Sequence, residues 1–357
     1  MRIAITGASG NIGTALLRRL SAAAGGHQVV GIARRIPDSG APYSDVSWHS
    51  LDLADPDAAT KLATAFAGVD TVVHLAWGFQ PSHNVEYLRR LGVGGTAAVL
   101  RAARTAGVQH LIHMSSVGAY SPAPHQRVDE SAAREGIPNL AYSQHKAEAE
   151  RLLDTYQRQA GRPTMLLSRL RPGFVVQPDA ASALLRYGLP GFVPARIITL
   201  LPLLPLDRKL SIPVVHSDDL ADGIVRVIER RAAGAFNFAA EPPVTRDDIA
   251  AALGARPVQV PAKVLSLLAG AGWHARLQAL DPGWIDLAFS VPLLDTSRAR
   301  AELEWAPAID SREALKETIQ AMADRRSAPS PVLRTRSGLD QLRKLLSSGP
   351  LGNRRLP

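Results

Sequence analysis

Between residues 2 and 170, short apolar runs alternate with segments of helical periodicity, and this alternation restricts the fold more than any other feature of the chain. The runs are RIAIT (2–6), QVVGIA (28–33), VSWHSL (46–51), TVVHLA (71–76), HLIHMS (110–115) and TMLLSRL (164–170). Between them IGTALLRRLSAA, AATKLATAFA, GGTAAVLRAARTA and AYSQHKAEAERLLDTY carry apolar residues at the spacing of one helix face. Strands joined through helices lie parallel, because each right-handed crossover returns the chain to the same edge of the sheet. The expected class is α/β: a Rossmann-type doubly wound parallel sheet with a smaller C-terminal substrate-binding lobe.

The first strand runs into ITGASGNIG, whose Gly7, Gly10 and Gly13 lie three apart just ahead of the first helix. Gly7 permits a sharp turn, Gly10 removes side chain where a pyrophosphate would approach, and Gly13 lets helix and sheet pack closely. The helix then offers free N–H groups and a partial positive charge to an anion. Glycines alone also make ordinary turns; the position between the first strand and the first helix turns them into a dinucleotide signal. The second strand ends in VVGIARR, with Ala33 where a carboxylate would hold both ribose hydroxyls of NAD, followed by Arg34 and Arg35. A solvated dibasic loop is the plain alternative, but the missing acid favours NADP over NAD, with Arg34 at the 2′-phosphate. Asp52 ends the third strand within reach of an adenine amino group, while Asp55 is free to cap the helix that follows.

AYSQHKAEAE places Tyr142 and Lys146 four apart on one helix face. A phenol is a poor base at neutral pH, and a neighbouring ammonium lowers its pKa, so the pair can move a proton to or from a substrate oxygen. An exposed lysine on a surface helix gives the same pattern by chance, but HMSSVGAY, which ends the preceding strand, adds Ser115 and Ser116 as hydroxyls able to steady a carbonyl oxygen.

Taken in order, TGASGNIG, LDLAD, VVHLAW, MSSVGAYS, YSQHK, RLRPGFV, VVHSDDLADGI and DTSRARAELEWAP resemble the extended short-chain dehydrogenase/reductase superfamily, the NAD(P)-dependent epimerase/dehydratase-like proteins, over roughly residues 1–320. The resemblance implies that Gly7, Ser9, Gly10, Asn11, Ile12 and Gly13 cradle the dinucleotide. Asp52 and Leu53 would meet adenine, Leu75, Ala76 and Trp77 the middle of the cofactor, and Pro172, Gly173, Phe174 and Val175 the nicotinamide. Tyr142 would be the acid/base, Lys146 its activator and a ligand of the nicotinamide ribose, and Ser116, rather than Ser115, the catalytic hydroxyl. It also implies a homodimer built on the helices bearing GGTAAVLRAAR and YSQHKAEAERLL. One departure stands out: GVGGT puts Gly92 where the family often carries asparagine.

After Pro172 the alternation breaks. The stretch 188–206 is apolar and rich in proline, LSIPVVHSDDLADGIVRVIER (210–230) reads as a strand and an acid-led helix, VTRDDIAAAL has Thr245 and Asp248 at N-cap spacing, and 295–307 reads as a helix closing on Pro307. The expected division is 1–172 for the dinucleotide-binding domain, with 210–236 returning to it; 173–209 and 237–323 for the substrate lobe; and 324–357 for a basic, disordered tail. That tail accounts for most of the formal charge of +9: Asp324 and Asp340 face eight arginines and lysines. Without interleaved aromatics it reads as a solvated end, and no nucleic-acid partner is expected.

Several chemistries recede. There is no cysteine, so disulfides and thiolate metal sites are absent and a cytoplasmic location is compatible. The chain opens on MRIAITG, so no cleaved leader is expected, and the prolines of 189–206 argue against a membrane span. His110 and His113 fall on opposite faces of a strand, and His74 and His216 read as packed, so no metal site is expected. Asp218 and Asp219 read as the acidic start of a helix, and Trp273, Trp284 and Trp305 as core or lid. The second half offers little polar equipment for a sugar diphosphate beyond Arg186, Arg196, Arg208 and Lys209. The leading expectation is an NAD(P)-dependent oxidoreductase acting on a carbonyl or secondary alcohol of a fairly apolar small molecule. A nucleotide-sugar epimerase/dehydratase and a non-catalytic NADP-sensing regulator are the alternatives, and the complete Tyr142, Lys146 and Ser116 set speaks against the sensor.

Overall fold

The structure, a computed structural model, describes residues 1–23, 26–78, 84–159, 165–188, 202–274 and 281–335. The first half gives β1 (Arg2–Thr6), α1 (Asn11–Ser21), β2 (Gln28–Ala33), β3 (Val46–Ser50), α2 (Ala58–Ala65), β4 (Thr71–His74), α3 (Val85–Arg89), α4 (Gly95–Thr105), β5 (His110–Met114), β6 (Arg127–Val128), α5 (Ala141–Gln159) and β7 (Leu166–Pro172). A single π-helical turn, Arg90–Gly94, joins α3 to α4. The second half adds β8 (Phe174–Val176), α6 (Ala181–Gly188), β9 (Leu203–Leu206), β10 (Ser211–His216), α7 (Ser217–Arg230), β11 (Gly234–Phe238), β12 (Ala240–Thr245) and α8 (Arg246–Leu253). It closes with β13 (Arg256–Gln259), α9 (Ala262–His274), α10 (Gly283–Ser290), β14 (Leu293–Leu294), α11 (Ser297–Leu303) and α12 (Ser311–Ala323).

Seven parallel strands form the central sheet in the order β11-β7-β5-β4-β1-β2-β3, so the chain leaves β1 toward one edge and then crosses to the other. That reversal opens a crevice at the carboxyl ends of β1 and β4, where Thr6 pairs with His74. Period-two alternation along the strands supplies two apolar faces. Ile3 and Ile5 meet Leu16 and Leu17 of α1 and Ile224 of α7, whereas Ala4, Val30 and Val72 meet Leu62, Val99 and Leu153 on the opposite side.

The second half departs from expectation in three places. β10 does not join the large sheet; it pairs with β8 and β12 in a three-stranded sheet, and the strand that extends the large sheet beside β7 is β11. The helix read over 295–307 ends sooner, because Glu304 takes a left-handed φ of 52° and Trp305 turns into the core, donating through Nε1 to Asp219 O. The stretch after α12 is not a free tail throughout: Ala328, Ser330 and Leu333 are buried. LDQLRKLL, the rest of 336–357 and residues 189–201, including Arg196, lie outside the described residues. The predicted capping box is present, Thr245 and Asp248 bonding reciprocally at the start of α8. Among the described residues no helix is long and apolar enough to cross a membrane.

Candidate active site

The glycine-rich turn divides its glycines by task. Gly7 has φ +73°, and a Cβ there would lie 2.7 Å from Ala76 N, so close approach to the end of β4 requires the missing side chain. A Cβ at Gly13 would overlap the carbonyl oxygens of Gly7 and Ala8. Gly10 is different: a Cβ there would meet only Gly7 O, at 3.2 Å, so packing hardly demands glycine at that position. The first helical bond runs from Thr14 N to Gly10 O, and among the described residues nothing accepts from the amides of Asn11, Ile12 and Gly13. No carboxylate lies in the first turn of α1. Three open donors at a helix N-terminus, with no local anion to satisfy them, suit a phosphate group.

These donors face a cavity of about 400 Å³ in the crevice between β1 and β4, and its wall contains every residue that the sequence reading assigned to cofactor or catalysis. At one end Arg34 donates to the phenol of Tyr87 at 2.8 Å, Tyr87 Oη donates to Asp52 at 3.1 Å, and Arg34 stands 3.7 Å from the same carboxylate. At the other end, Tyr142 on α5 lies half-buried with its ring 5.0 Å from that of Trp284. Burial pushes the Tyr142 phenol up to about 12, against the pull of a hydrogen bond with Ser116. Ser116 Oγ accepts from Gly118 N at 3.0 Å, which leaves its own proton for the phenol or for a ligand oxygen.

Lys146 lies one turn along α5 from Tyr142 and is buried. Its Nζ donates to Met114 O at 2.8 Å and sits 3.6 Å from the ring centroid of Trp77, but 5.9 Å from that of Tyr142. Burial pulls the ammonium well below its ordinary value, with Glu150 opposing. Burial thus holds the Tyr142 phenol above its ordinary value, and the phenol is protonated at neutral pH. Ser115 is occupied elsewhere, donating at 2.6 Å to the buried carboxylate of Glu150. Burial disfavours that charge, but Arg171, bound through Nε and Nη2 at 2.8 Å each, and Ser115 outweigh it and hold Glu150 at about 2. The clamp ties α5, which carries Tyr142 and Lys146, to the end of β5 and to β7.

The sequence model of the NAD dependent epimerase/dehydratase family matches residues 3–239. The chain belongs to that family. Its curated relatives include an uncharacterized protein of Mycobacterium tuberculosis, 29% identical over 330 residues, 91% of this chain. The chain spans only about 30% of that relative's length. An L-arabinose 1-dehydrogenase (NAD(P)(+)) of Haloferax volcanii is 35% identical over 115 residues, 32% of this chain and 41% of the relative. Among solved structures, dTDP-glucose 4,6-dehydratase of Streptomyces venezuelae, with NAD bound, matches at a TM-score of 0.69 and 21% identity, covering 91% of this chain and 99% of the other. UDP-glucose 4-epimerase of Thermotoga maritima, with UDP-glucose, gives a TM-score of 0.69 and 18% identity at 91% and 99% coverage. At these identities the likeness is one of fold.

In this member of the NAD dependent epimerase/dehydratase family, the departure at Gly92 has a physical cause. A Cβ on Gly92 would lie 2.9 Å from the indole of Trp77, so the tryptophan fills the space that an asparagine would need. Beyond Trp77, His113 is buried with neither ring nitrogen partnered among the described residues, and His74 is bonded to Thr6 and Thr96 with burial lowering it to about 3. Among the described residues no group of three or more His, Asp or Glu is placed to hold a metal ion. Sequence reasoning missed Tyr87, Leu287, Val332 and Leu333, all in the cavity wall, and placed Trp284 only as core or lid. Of these Tyr87 had a legible signal: Asn84 caps the helix that carries it.

Proposed function

We propose that the protein is an NADP-preferring oxidoreductase that interconverts a carbonyl and a secondary alcohol on a fairly apolar small molecule. The observation that carries this reading is the pairing of a protonated Tyr142, beside the Ser116 hydroxyl, with an apolar wall of Val117, Phe174, Trp284 and Leu287 on the same cavity. The open amides of Asn11, Ile12 and Gly13 would hold the diphosphate, Ser9 and Gly10 its approach, and Asp52 and Leu53 the adenine. Arg34 would take the 2′-phosphate, Leu75, Ala76 and Trp77 would line the middle, and Lys146 with Pro172, Gly173, Phe174 and Val175 would flank the nicotinamide riboside. The bound nicotinamide supplies or accepts hydride. Tyr142 Oη donates its proton to the carbonyl oxygen in reduction and takes it back in oxidation, while Ser116 Oγ holds that oxygen by a second hydrogen bond. Two copies pairing through α4 and α5, and a cytoplasmic location, belong to the same reading.

Mixing the purified protein with NADPH and a panel of apolar ketones and aldehydes tests it: loss of the nicotinamide absorbance band is expected. Substitution of Arg34→Ala sharpens the cofactor assignment. NADPH affinity should fall about tenfold, about 1.4 kcal/mol, with NADH affinity little changed. Equal weakening of both would remove Arg34 from the 2′-phosphate. The second reading, a nucleotide-sugar epimerase or dehydratase, is supported by the family and by the fold of the dehydratase and epimerase above. Turnover of UDP-glucose or dTDP-glucose with no net change in that band would favour it.

A further inference from the structure

We propose that residues 328–335 form a third wall of the dinucleotide site, a strap that retains bound cofactor against the glycine-rich turn. The segment follows α12 and lies far from β1 in sequence, yet Ser330 Oγ donates to Ser9 O at 2.8 Å, inside the turn itself. Ser330 also lies beside the phenol of Tyr43, which in turn meets Thr14 of α1 at 2.9 Å. One residue on, Pro331 O accepts from Arg35 at 3.4 Å, so the strap touches the dibasic loop as well. Leu333, 1% exposed, packs against Ala180 and Ala183 on the far side of the crevice, and both it and Val332 line the cavity. The strap therefore bridges the two loops that face the adenosine and diphosphate and the segment that follows β8.

Its mode of docking separates retention from blockade. The strap bonds to the turn through a carbonyl, an acceptor that a phosphate cannot use. It leaves the amides of Asn11, Ile12 and Gly13 open, and the cavity of about 400 Å³ exists with the strap in place. Val332 and Leu333 add apolar surface that excludes water from groups bound beside them, which strengthens the phosphate hydrogen bonds and slows escape.

The inference rests on dinucleotide binding at this turn and is independent of the substrate. Its test uses the full 357-residue chain. NADPH, followed by its fluorescence, is displaced with excess NADP in a stopped-flow instrument, for the unsubstituted protein and for Ser330→Ala combined with Leu333→Ala. Dissociation about tenfold faster in the variant, with far-UV circular dichroism unchanged, is the expected result. A rate within twofold of the parent, or a slower one as a blocking segment would give, overturns the strap. Because Leu333 is buried, a second measurement needs no substitution: hydrogen exchange at the Leu333 amide, which donates to Ser330 Oγ at 3.1 Å, should slow when NADPH binds. Exchange unchanged by saturating NADPH rejects the proposal. A parent protein that binds neither NADPH nor NADH fails at the earlier step, the dinucleotide site itself, and removes both.

Discussion

The two ends of the crevice are built in different ways. At the diphosphate end, seven consecutive residues, Gly7–Gly13, make a turn whose shape is fixed by its own backbone and by contact with the end of β4. At the Tyr142 end, α5, the Ser116 turn, Phe174 and α10 arrive from separate parts of the chain and are held by a buried ionic clamp and by the tilted contact of the Tyr142 and Trp284 rings. A local device tolerates change in distant sequence. A composite one can take new substrates by altering one contributor, and it needs something rigid behind the group that stays constant. Glu150 and Arg171 supply that rigidity for α5.

The largest expected effect separates chemistry from binding at the composite end. Substituting Tyr142→Phe removes the proton donor and keeps the ring against Trp284, so turnover should fall by about 10² to 10⁴. NADPH affinity should stay within about threefold of the parent. Turnover that survives removes the phenol from the mechanism; lost affinity would mean that the ring builds the cofactor site as well.

Next comes the clamp. Glu150→Gln leaves the Arg171 charge buried without its partner, and unfolding in urea should show a loss of about 3–5 kcal/mol. The pH dependence has a definite sign. Glu150 titrates at about 2 in the folded protein, below its ordinary value of 4.5, so its contribution is complete above pH 4.5 and disappears as pH falls toward 2. The parent should therefore lose stability through that window, and the Gln variant should lose less. Equal acid sensitivity of the two would show that Glu150 is not what α5 depends on.

How far the sequence reached follows the same division. The glycine turn was legible because its signal is contiguous, and Tyr142 with Lys146 because helical spacing puts both on one face. Six of the seven strands of the large sheet, β1–β5 and β7, were legible from their apolar runs. β11 was not, because GAFNF is short and interrupted by Asn237, whose buried side chain accepts from Tyr120 Oη at 2.7 Å and donates to Val128 O and Asp295 O. Trp284 and Leu287 carry no local pattern that links them to Tyr142; only the folded chain brings α10 over α5. The stretch after Asp324 misled because its charge hides three small or apolar residues, Ala328, Ser330 and Leu333, each buried for a tertiary reason. The surroundings of Lys146 were not legible either: spacing places it one turn from Tyr142, but only the structure shows Met114 O and Trp77 beside its ammonium.

At the local end, two glycines should part company. Gly13→Ala forces a Cβ into the carbonyls of the turn and should destabilise the fold by more than about 2 kcal/mol. Gly10→Ala meets only Gly7 O at 3.2 Å and should leave unfolding within about 1 kcal/mol of the parent, while NADPH affinity drops about tenfold. Calorimetry and fluorescence titration on the same preparations check both. A Gly10→Ala protein that binds normally would mean that the phosphate does not approach the turn there.

The smallest effect tests whether Trp77 and Gly92 share one space. A Cβ at Gly92 would stand 2.9 Å from the indole, so Gly92→Asn alone overpacks the junction and should cost about 1–3 kcal/mol. Trp77→Ala alone opens a void beside Lys146 and removes the ring from 3.6 Å above its Nζ. Combined, the new amide enters the vacated volume, and the double variant should be more stable than the sum of the two losses by about 1 kcal/mol. Strict additivity would show that the two positions relax independently, and the tryptophan would then no longer account for the glycine.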